Sequence, residues 1–297
     1  MTNATRLTAI PALAWLLFAQ PGAAQNTEAG QVRVPAGIVE QPCPPVATLS
    51  GGTRDLLDDL FMKPRRLGPA DFDRLMKDPE FTRFVEENRR LGASDWPGLC
   101  RYRAANESLR ASGDSPRIVF IGDSITENWA LADPKFFTGG IVNRGISGQT
   151  TPQMLVRFRA DVIALKPQVV HIMAGTNDIA GNTGPTTSQD VKNNVVSMVE
   201  LARANGIRVV LASIPPAAEF NWRPQLKPVP QIDALNTWLR EYAAQNRLEY
   251  IDYHTVLVGS SGELKAELGN DGVHPNRDGY RIMRKVVEEK LAPVISH

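Results

Sequence analysis

The sequence contains few of the side chains that bind metal ions. Its 297 residues include four histidines and two cysteines, which argues against a metal site built from several such ligands. The sequence also has no excess of charge of one sign. It contains 33 basic and 32 acidic side chains, so the net charge is +1. With no basic stripe and no acidic tail, nothing indicates a nucleic-acid partner.

After the N-terminal segment the sequence has no long apolar run, and no later segment reaches the length of a membrane span. At the N-terminus, Arg6 precedes an apolar run over 7–19, and small residues follow up to Ala24. This order predicts a secretory signal peptide over 1–24. An uncleaved anchor is the alternative, against which the short run argues. We expect a secreted or periplasmic protein with no stable membrane insertion after cleavage.

The predicted export bears on the oxidation state of the two cysteines, Cys43 and Cys100. An oxidising compartment favours their pairing as a disulfide, which would contribute about 4 kcal/mol on the chain-entropy model. The alternative is a pair of free thiols.

An N-terminal extension is predicted over 25–112. Its first part is rich in proline, glycine and polar residues and indicates a loosely structured leader. Apolar residues then recur at helical spacing from 53 to 91, and Pro64, Pro69 and Pro79 divide this region into short helices. The extension is expected to pack on the following domain, either as the wall of a cleft or as scaffold alone.

Residues 113–297 alternate short Val- and Ile-rich runs with helical segments. The runs predict five strands, over 117–121, 140–143, 168–173, 208–213 and 248–252, and the intervening patterns predict helices over 152–165, 189–205, 231–246 and 276–291. This rhythm predicts a doubly wound, three-layer α/β/α domain with a mainly parallel five-stranded sheet, of the flavodoxin-like kind.

Candidate functional residues follow three of these strands and precede the last helix. Ser124 follows the first strand, Gly145 the second and Asn177 the third, whereas Asp271 and His274 lie in the loop before the last helix. Since active groups of such sheets lie beyond the carboxyl ends of the strands, we expect all five to converge.

The expected chemistry is acyl transfer by a serine. Ser124 is the candidate nucleophile, His274 the base that removes its proton, and Asp271 the acid that orients the imidazole. Two of them have a plain alternative: a helix cap for the serine and a turn residue for the aspartate. Of the other histidines, His171 lies within a predicted strand, where a hydrogen-bonded core residue is the commoner role.

Three donors are candidates for an oxyanion hole: the backbone N–H of Ser124, the backbone N–H of Gly145 and the side-chain amide of Asn177. Taken singly, a loop glycine and a turn asparagine need have no function. Their order along the chain together with the serine and histidine supports the catalytic interpretation.

Four segments carry a family resemblance: Gly-Asp-Ser-Ile at 122–125, Asn-Arg-Gly-Ile-Ser-Gly at 143–148, Gly-Thr-Asn-Asp at 175–178 and Asp-Gly-Val-His-Pro at 271–275. The pattern resembles the SGNH hydrolases, the GDSL-type esterases. The resemblance implies that Ser124, Gly145, Asn177 and His274 are the four block residues and that Asp271 is the triad acid. It also implies that no metal or organic cofactor is needed.

The resemblance implies cleavage of carboxylic esters and sometimes thioesters. Together with predicted export, it favours a secreted serine esterase that acts on short-chain, mainly acetyl, esters of carbohydrate. A lysophospholipase or thioesterase, an O-acyltransferase and a non-catalytic glycan-binding module are the alternatives. Trp129 and the proline-rich segment 215–230, with Phe220 and Trp222, are candidates for shaping specificity; packing on the surface or in the core is the alternative. The oligomeric state is left open.

Overall fold

Five short strands form one sheet in a computed structural model, which describes residues 37–45, 48–65 and 67–295. All neighbouring strands are parallel, in the order β2-β1-β3-β4-β5. The strands are β1 Ile118–Gly122, β2 Ile141–Gly145, β3 Val169–Met173, β4 Arg208–Ala212 and β5 Glu249–Ile251. The predicted doubly wound sheet is thus confirmed; the predicted signal peptide lies outside the described residues.

Helices cover both faces of the sheet, as connections between parallel strands require. Those after β1 are α5 Ser124–Ala132, α6 Thr151–Asp161, α7 Thr176–Ile179, α8 Ser188–Ala204, α9 Val229–Gln245, α10 Tyr253–Leu257 and α11 Arg277–Ile295. The helix predicted over 152–165 ends at Asp161, because Val162 leaves the helical region of φ and ψ; a 3-10 turn, Ile163–Leu165, follows.

Side chains that alternate along each strand divide the core in two. In β1, Val119 and Ile121 enter a cluster with α6, α8 and α9, whereas Ile118 and Phe120 enter one with α5, α10 and α11. Both sides of every central strand are therefore buried, which explains the near-continuous apolar runs in the sequence.

The extension consists of short helices with a small core of their own. They are α1 Gly51–Leu57 with a π-helical continuation Asp58–Met62, α2 Pro69–Met76, α3 Pro79–Ser94 and α4 Arg103–Ser112. Leu60 and Phe81 belong to the small core. Met62 instead joins the core on the α5 side of the sheet, and Asn270 Nδ2 donates 2.7 Å bonds to the carbonyls of Leu60 and Lys63.

Cys43 and Cys100 form the predicted disulfide, with Cα atoms 5.4 Å apart. It joins the segment before α1 to the turn before α4, so it closes a loop that contains most of the extension.

The carboxyl ends of three strands lie level with one another. Gly122 of β1 is paired with Gly145 of β2 on one side and with Met173 of β3 on the other. The chain leaves all three strands at the same edge, which is where ligands bind in sheets of this topology.

Candidate active site

Ser124 stands at the first turn of α5, directly beyond the carboxyl end of β1. Asp123 caps the helix by accepting a 2.9 Å hydrogen bond from Ile125 N. The turn from strand to helix is tight: a β-carbon at Gly122 would lie 2.1 Å from Thr126 Oγ1. The N–H groups of the first helical turn have no acceptor within the helix, so the backbone N–H of Ser124 is one of its unpaired donors.

Asp271 and His274 form a unit within one turn. One carboxylate oxygen of Asp271 accepts the backbone N–H of Val273 at 2.9 Å and that of His274 at 2.8 Å. The other oxygen lies 2.7 Å from His274 Nδ1. Because the backbone is fixed by the same aspartate that holds the ring, the imidazole has one orientation.

The structure brings this unit to Ser124. His274 Nε2 lies 2.8 Å from Ser124 Oγ. With its proton on Nδ1, the ring donates to Asp271 and accepts from the serine hydroxyl, which is the arrangement required of a general base. Both His274 and Asp271 retain partial contact with solvent.

The acid and the base shift one another's pKa. Burial by itself lowers the pKa of His274, but the charge of Asp271, its hydrogen bond and the charge of Asp123 outweigh that, and the net pKa is raised above 6.5. Burial likewise raises the pKa of Asp271, and the interactions with His274 reverse the shift, so that this pKa is lowered. The pair therefore favours an ionised aspartate beside a histidine that readily takes a proton.

The backbone N–H of Gly145, one of the predicted oxyanion donors, is engaged within the protein. Its backbone N–H donates a 2.8 Å hydrogen bond to Asn143 Oδ1. A β-carbon there would lie 2.2 Å from Glu127 N, so glycine is needed for the close approach of β2 to α5. The geometry argues against Gly145 as an oxyanion donor, because its N–H already has an acceptor within the protein.

Gly148, three residues later, fits the role better. It is buried with φ +77°, in a turn closed by Gln149 N donating to Ile146 O at 3.3 Å; a positive φ at the third turn residue is a glycine preference. Its neighbours' N–H groups are occupied, that of Ser147 by Glu127 Oε2 at 2.8 Å. Within the part of the chain that the structure describes, the N–H of Gly148 has no acceptor. Sequence reasoning missed it because it weighed only the first glycine of Asn-Arg-Gly-Ile-Ser-Gly.

The side chain of Asn177 lies between the nucleophile loop and the Gly148 turn. Its Nδ2 donates to Gln149 O at 3.1 Å and to Asp123 Oδ2 at 3.3 Å. Its Oδ1 accepts a 2.7 Å hydrogen bond from Asn182 Nδ2. The amide is thus held with Nδ2 toward Gln149 and Asp123. Both hydrogen bonds of Nδ2 are longer than the 2.8 Å bond that occupies Gly145 N, so an oxyanion can compete with them more readily.

Asp123 is a buried acid between these groups. Burial raises its pKa to about 6. It stabilises the helix start and faces the Asn177 amide, so it joins the serine loop to the asparagine loop.

The aromatic residues considered for specificity pack inside the protein. Trp129 is fully buried and makes ring contacts with Phe120 and Phe136. Phe220 and Trp222 are also buried and stack on each other. Their loop still reaches the site, since Asn221 Nδ2 donates to Asp271 O at 2.9 Å.

The two other histidines that the structure describes have partners other than Ser124. His171 is enclosed in the core, 3.0 Å from Tyr253 OH, and burial lowers its pKa to about 3. His254 is near Asp233, and His297 lies outside the described residues. Among the residues described, no cluster of three or more His, Cys, Asp or Glu side chains is placed to hold a metal ion.

Comparison with known proteins agrees with this geometry. The model of the GDSL-like lipase/acylhydrolase family matches residues 120–282. A GDSL-like lipase of Bacteroides thetaiotaomicron has a solved structure that is 42% identical, with a TM-score of 0.63, over 66% of this chain and 98% of that one. The chain belongs to the GDSL-like lipase/acylhydrolase family.

Curated relatives include enzymes. Esterase TesA of Pseudomonas aeruginosa is 31% identical over 185 residues, which are 60% of this chain and 84% of TesA. An acetylxylan esterase of Xylanibacter ruminicola is 24% identical over 59% of this chain and 42% of its own length. A segment 40% identical to a lipoprotein of Bacillus subtilis, YqeF, covers 29% of this chain and 37% of that protein. Family and relatives class the chain with the carboxylic ester hydrolases, although it spans less than half of two of them.

Proposed function

We propose that the protein is an exported serine esterase that hydrolyses short-chain, mainly acetyl, esters of carbohydrate through an acyl-enzyme. The observation that carries the catalytic part is the line of hydrogen bonds from Ser124 Oγ to His274 at 2.8 Å and from His274 to Asp271 at 2.7 Å. A hydroxyl, a ring and a carboxylate in this order are the parts that activate a serine.

In the proposed reaction, Ser124 Oγ attacks the ester carbonyl while His274 Nε2 takes the hydroxyl proton. Asp271 stabilises the imidazolium that forms. His274 then gives the proton to the leaving alcohol, and an acyl-enzyme remains on Ser124. The same histidine next takes a proton from water, whose oxygen attacks the acyl group. The bond between the acyl group and Ser124 Oγ then breaks, His274 returns the proton to Oγ, and the acid is released.

The negative charge on the former carbonyl oxygen needs donors. We assign the backbone N–H of Ser124, the backbone N–H of Gly148 and the Asn177 amide to this task. One such donor is typically worth about 10²- to 10³-fold in turnover. We name Gly148 as a donor in place of the predicted Gly145 because a hydrogen bond to Asn143 Oδ1 already occupies Gly145 N.

The substrate class is supported by two observations outside the catalytic line. The N-terminal segment has the order of a signal peptide, and one relative is an acetylxylan esterase. In the described part of the chain, none of the helices combines the length and the apolar character of a membrane span. A polymeric or oligomeric carbohydrate outside the cytoplasm would suit an exported enzyme.

The test is hydrolysis of p-nitrophenyl acetate by the purified protein and by its Ser124→Ala variant. We expect the variant to lose at least about 10³-fold in kcat with an unchanged circular dichroism spectrum. Equal turnover in both would reject the serine mechanism.

The substrate class is tested with acetylated xylooligosaccharides, p-nitrophenyl esters of two to sixteen carbons and lysophosphatidylcholine. Highest kcat/KM on the acetylated oligosaccharide is expected. A maximum at eight carbons or more, or on the lysophospholipid, would replace the acetylesterase by a lipid-directed hydrolase. Transfer of acetyl to added xylose in preference to water would make the protein an acyltransferase.

A further inference from the structure

A turn of the extension, residues 95–106, lies against the loop that carries Gly148; we call it the clip. Its own shape is preformed, because the Asp95 carboxylate accepts the backbone N–H of Leu99 at 2.9 Å and that of Cys100 at 2.7 Å. The disulfide to Cys43 anchors the clip at its middle.

The first contact of the clip fixes the peptide group with which the Gly148 turn begins. The hydroxyl of Tyr102 donates to the carbonyl of Gly145. On the other side of the same peptide, Ile146 N donates to Gly122 O at 3.1 Å. Because the peptide is held at both ends, its tilt, and with it the direction of the turn that follows, is set by Tyr102 and by β1.

The second contact passes through Gln149, the residue after Gly148. Its side-chain Nε2 donates to Pro97 O at 2.8 Å, and its backbone carbonyl accepts from Asn177 Nδ2 at 3.1 Å. The approach is close: a β-carbon at Gly98 would lie 3.0 Å from Gln149 Nε2. Gln149 therefore joins the clip to the asparagine side of the oxyanion hole.

The third contact is ionic. Arg101 pairs with one oxygen of Glu127 at 2.7 Å. The other oxygen accepts the N–H of Ser147 at 2.8 Å and its hydroxyl at 2.6 Å. Since Ser147 directly precedes Gly148 and Gln149 directly follows it, the residues on both sides of Gly148 along the chain are held.

From these three contacts we propose that the clip positions the donors of the oxyanion hole. Tyr102 makes the contact with the Gly148 turn, and the Cys43–Cys100 disulfide holds the clip in place. The proposal rests on the proposed serine esterase function and gives the extension a role in it. Oxyanion donors act only when they stand about 2.7–3.1 Å from the developing charge, and a displacement of about 1 Å can cost about 10²-fold in rate. Loss of a clip contact is therefore expected to lower kcat and leave KM nearly unchanged.

The first experiment removes one hydroxyl. Tyr102→Phe is compared with Tyr250→Phe, a matched variant in β5, the edge strand farthest from β2. We expect kcat on p-nitrophenyl acetate to fall about tenfold in Tyr102→Phe with KM within twofold, and the control to match the wild type. Inhibition by a phenylboronic acid, whose Ser124 adduct places an oxygen in the oxyanion hole, should weaken by the same factor as kcat.

The second experiment opens the disulfide, in case the hydroxyl alone is too small a change. The double variant Cys43→Ser, Cys100→Ser is assayed at a temperature where it is fully folded, alone and combined with Tyr102→Phe. We expect the serine pair to lose five- to twentyfold in kcat. Adding Tyr102→Phe to it should lower kcat by less than the product of the two separate losses, since both changes loosen the same turn. Turnover within twofold of wild type in both Tyr102→Phe and the serine pair would overturn the proposal.

The proposal and the function on which it rests fail differently. A wild type with no Ser124-dependent hydrolysis would reject the esterase and the clip role together. A wild type that depends on Ser124, while Tyr102→Phe and the serine pair both equal Tyr250→Phe in kcat and in boronate affinity, would reject the clip role alone.

Discussion

The acid–base pair and the Gly148 turn lie at the same edge of the sheet and are built in opposite ways. Asp271 and His274 are three residues apart, and a single carboxylate holds both the backbone and the ring. The Gly148 turn is held from several distant parts of the chain, including Tyr102 and Glu127. The local unit forms wherever its turn forms, whereas the turn requires the whole tertiary structure.

This difference has an energetic consequence. Removing one partner of the local unit abolishes a charge-stabilising contact outright. Removing one of several remote contacts is expected to displace the turn less, because the others remain. Substitutions in the acid–base pair should therefore cost more activity than substitutions in the supports of the oxyanion donors.

The largest effect in this comparison is expected for Asp271→Asn. The amide favours the wrong tautomer of His274 and cannot stabilise the imidazolium, so kcat should fall by about 10⁴-fold. Steady-state kinetics at pH 8 measures it, with Asp252→Asn, a substitution in the cap of α10, as the matched control. A loss below tenfold would show that the local unit does not act as a triad.

The pH dependence of the wild type is the next effect in size. His274 must be neutral to act as base, and its pKa lies above 6.5 because Asp271 and Asp123 stabilise the imidazolium against the opposing effect of burial. We expect kcat/KM to have its half-point above pH 6.5 and to fall about tenfold per unit below it, or about 100-fold over two units.

A profile flat from pH 5 to 9 would contradict the role of His274. Repeating the pH profile with Tyr102→Phe separates the acid–base pair from the Gly148 turn. That variant should have lower turnover but the same half-point, since it acts on the oxyanion turn and not on the base.

The smallest effect is expected for Asn182→Ala. This removes the 2.7 Å hydrogen bond that holds the oxygen of the Asn177 amide, so the donor side is less well oriented and kcat should fall about tenfold with little change in KM. Asn205→Ala, at the exposed end of α8, is the control. If Asn182→Ala lost as much activity as Asp271→Asn, the proposed division between local unit and remote supports would be wrong.

Much of the fold was predictable because its signals are local. The apolar runs around Ile118 and Val169 mark strands buried on both sides, and their order with intervening helices leaves few topologies. Pro69 and Pro79 start helices α2 and α3, in keeping with the predicted breaks. The pairing of Cys43 with Cys100 followed from their number and the predicted export.

The aromatic residues were harder to place, because periodicity and composition do not tell a cleft from a core. Phe220 and Trp222 lie in an irregular segment that looks like a cleft-lining loop, and tertiary packing buries both. The loop instead contacts the site through Asn221, a polar residue with no distinctive pattern.

The sequence by itself determined the sheet, the helices and the joining of Asp271 to His274, because short-range spacing and side-chain polarity carry that information. Only the tertiary structure shows that the N–H of Gly145 has an acceptor and that of Gly148 has none among the described residues, which is the basis for proposing Gly148. Which N–H is left without an acceptor depends on Asn143, on the approach of α5 and on the clip, and these meet only when distant segments pack together.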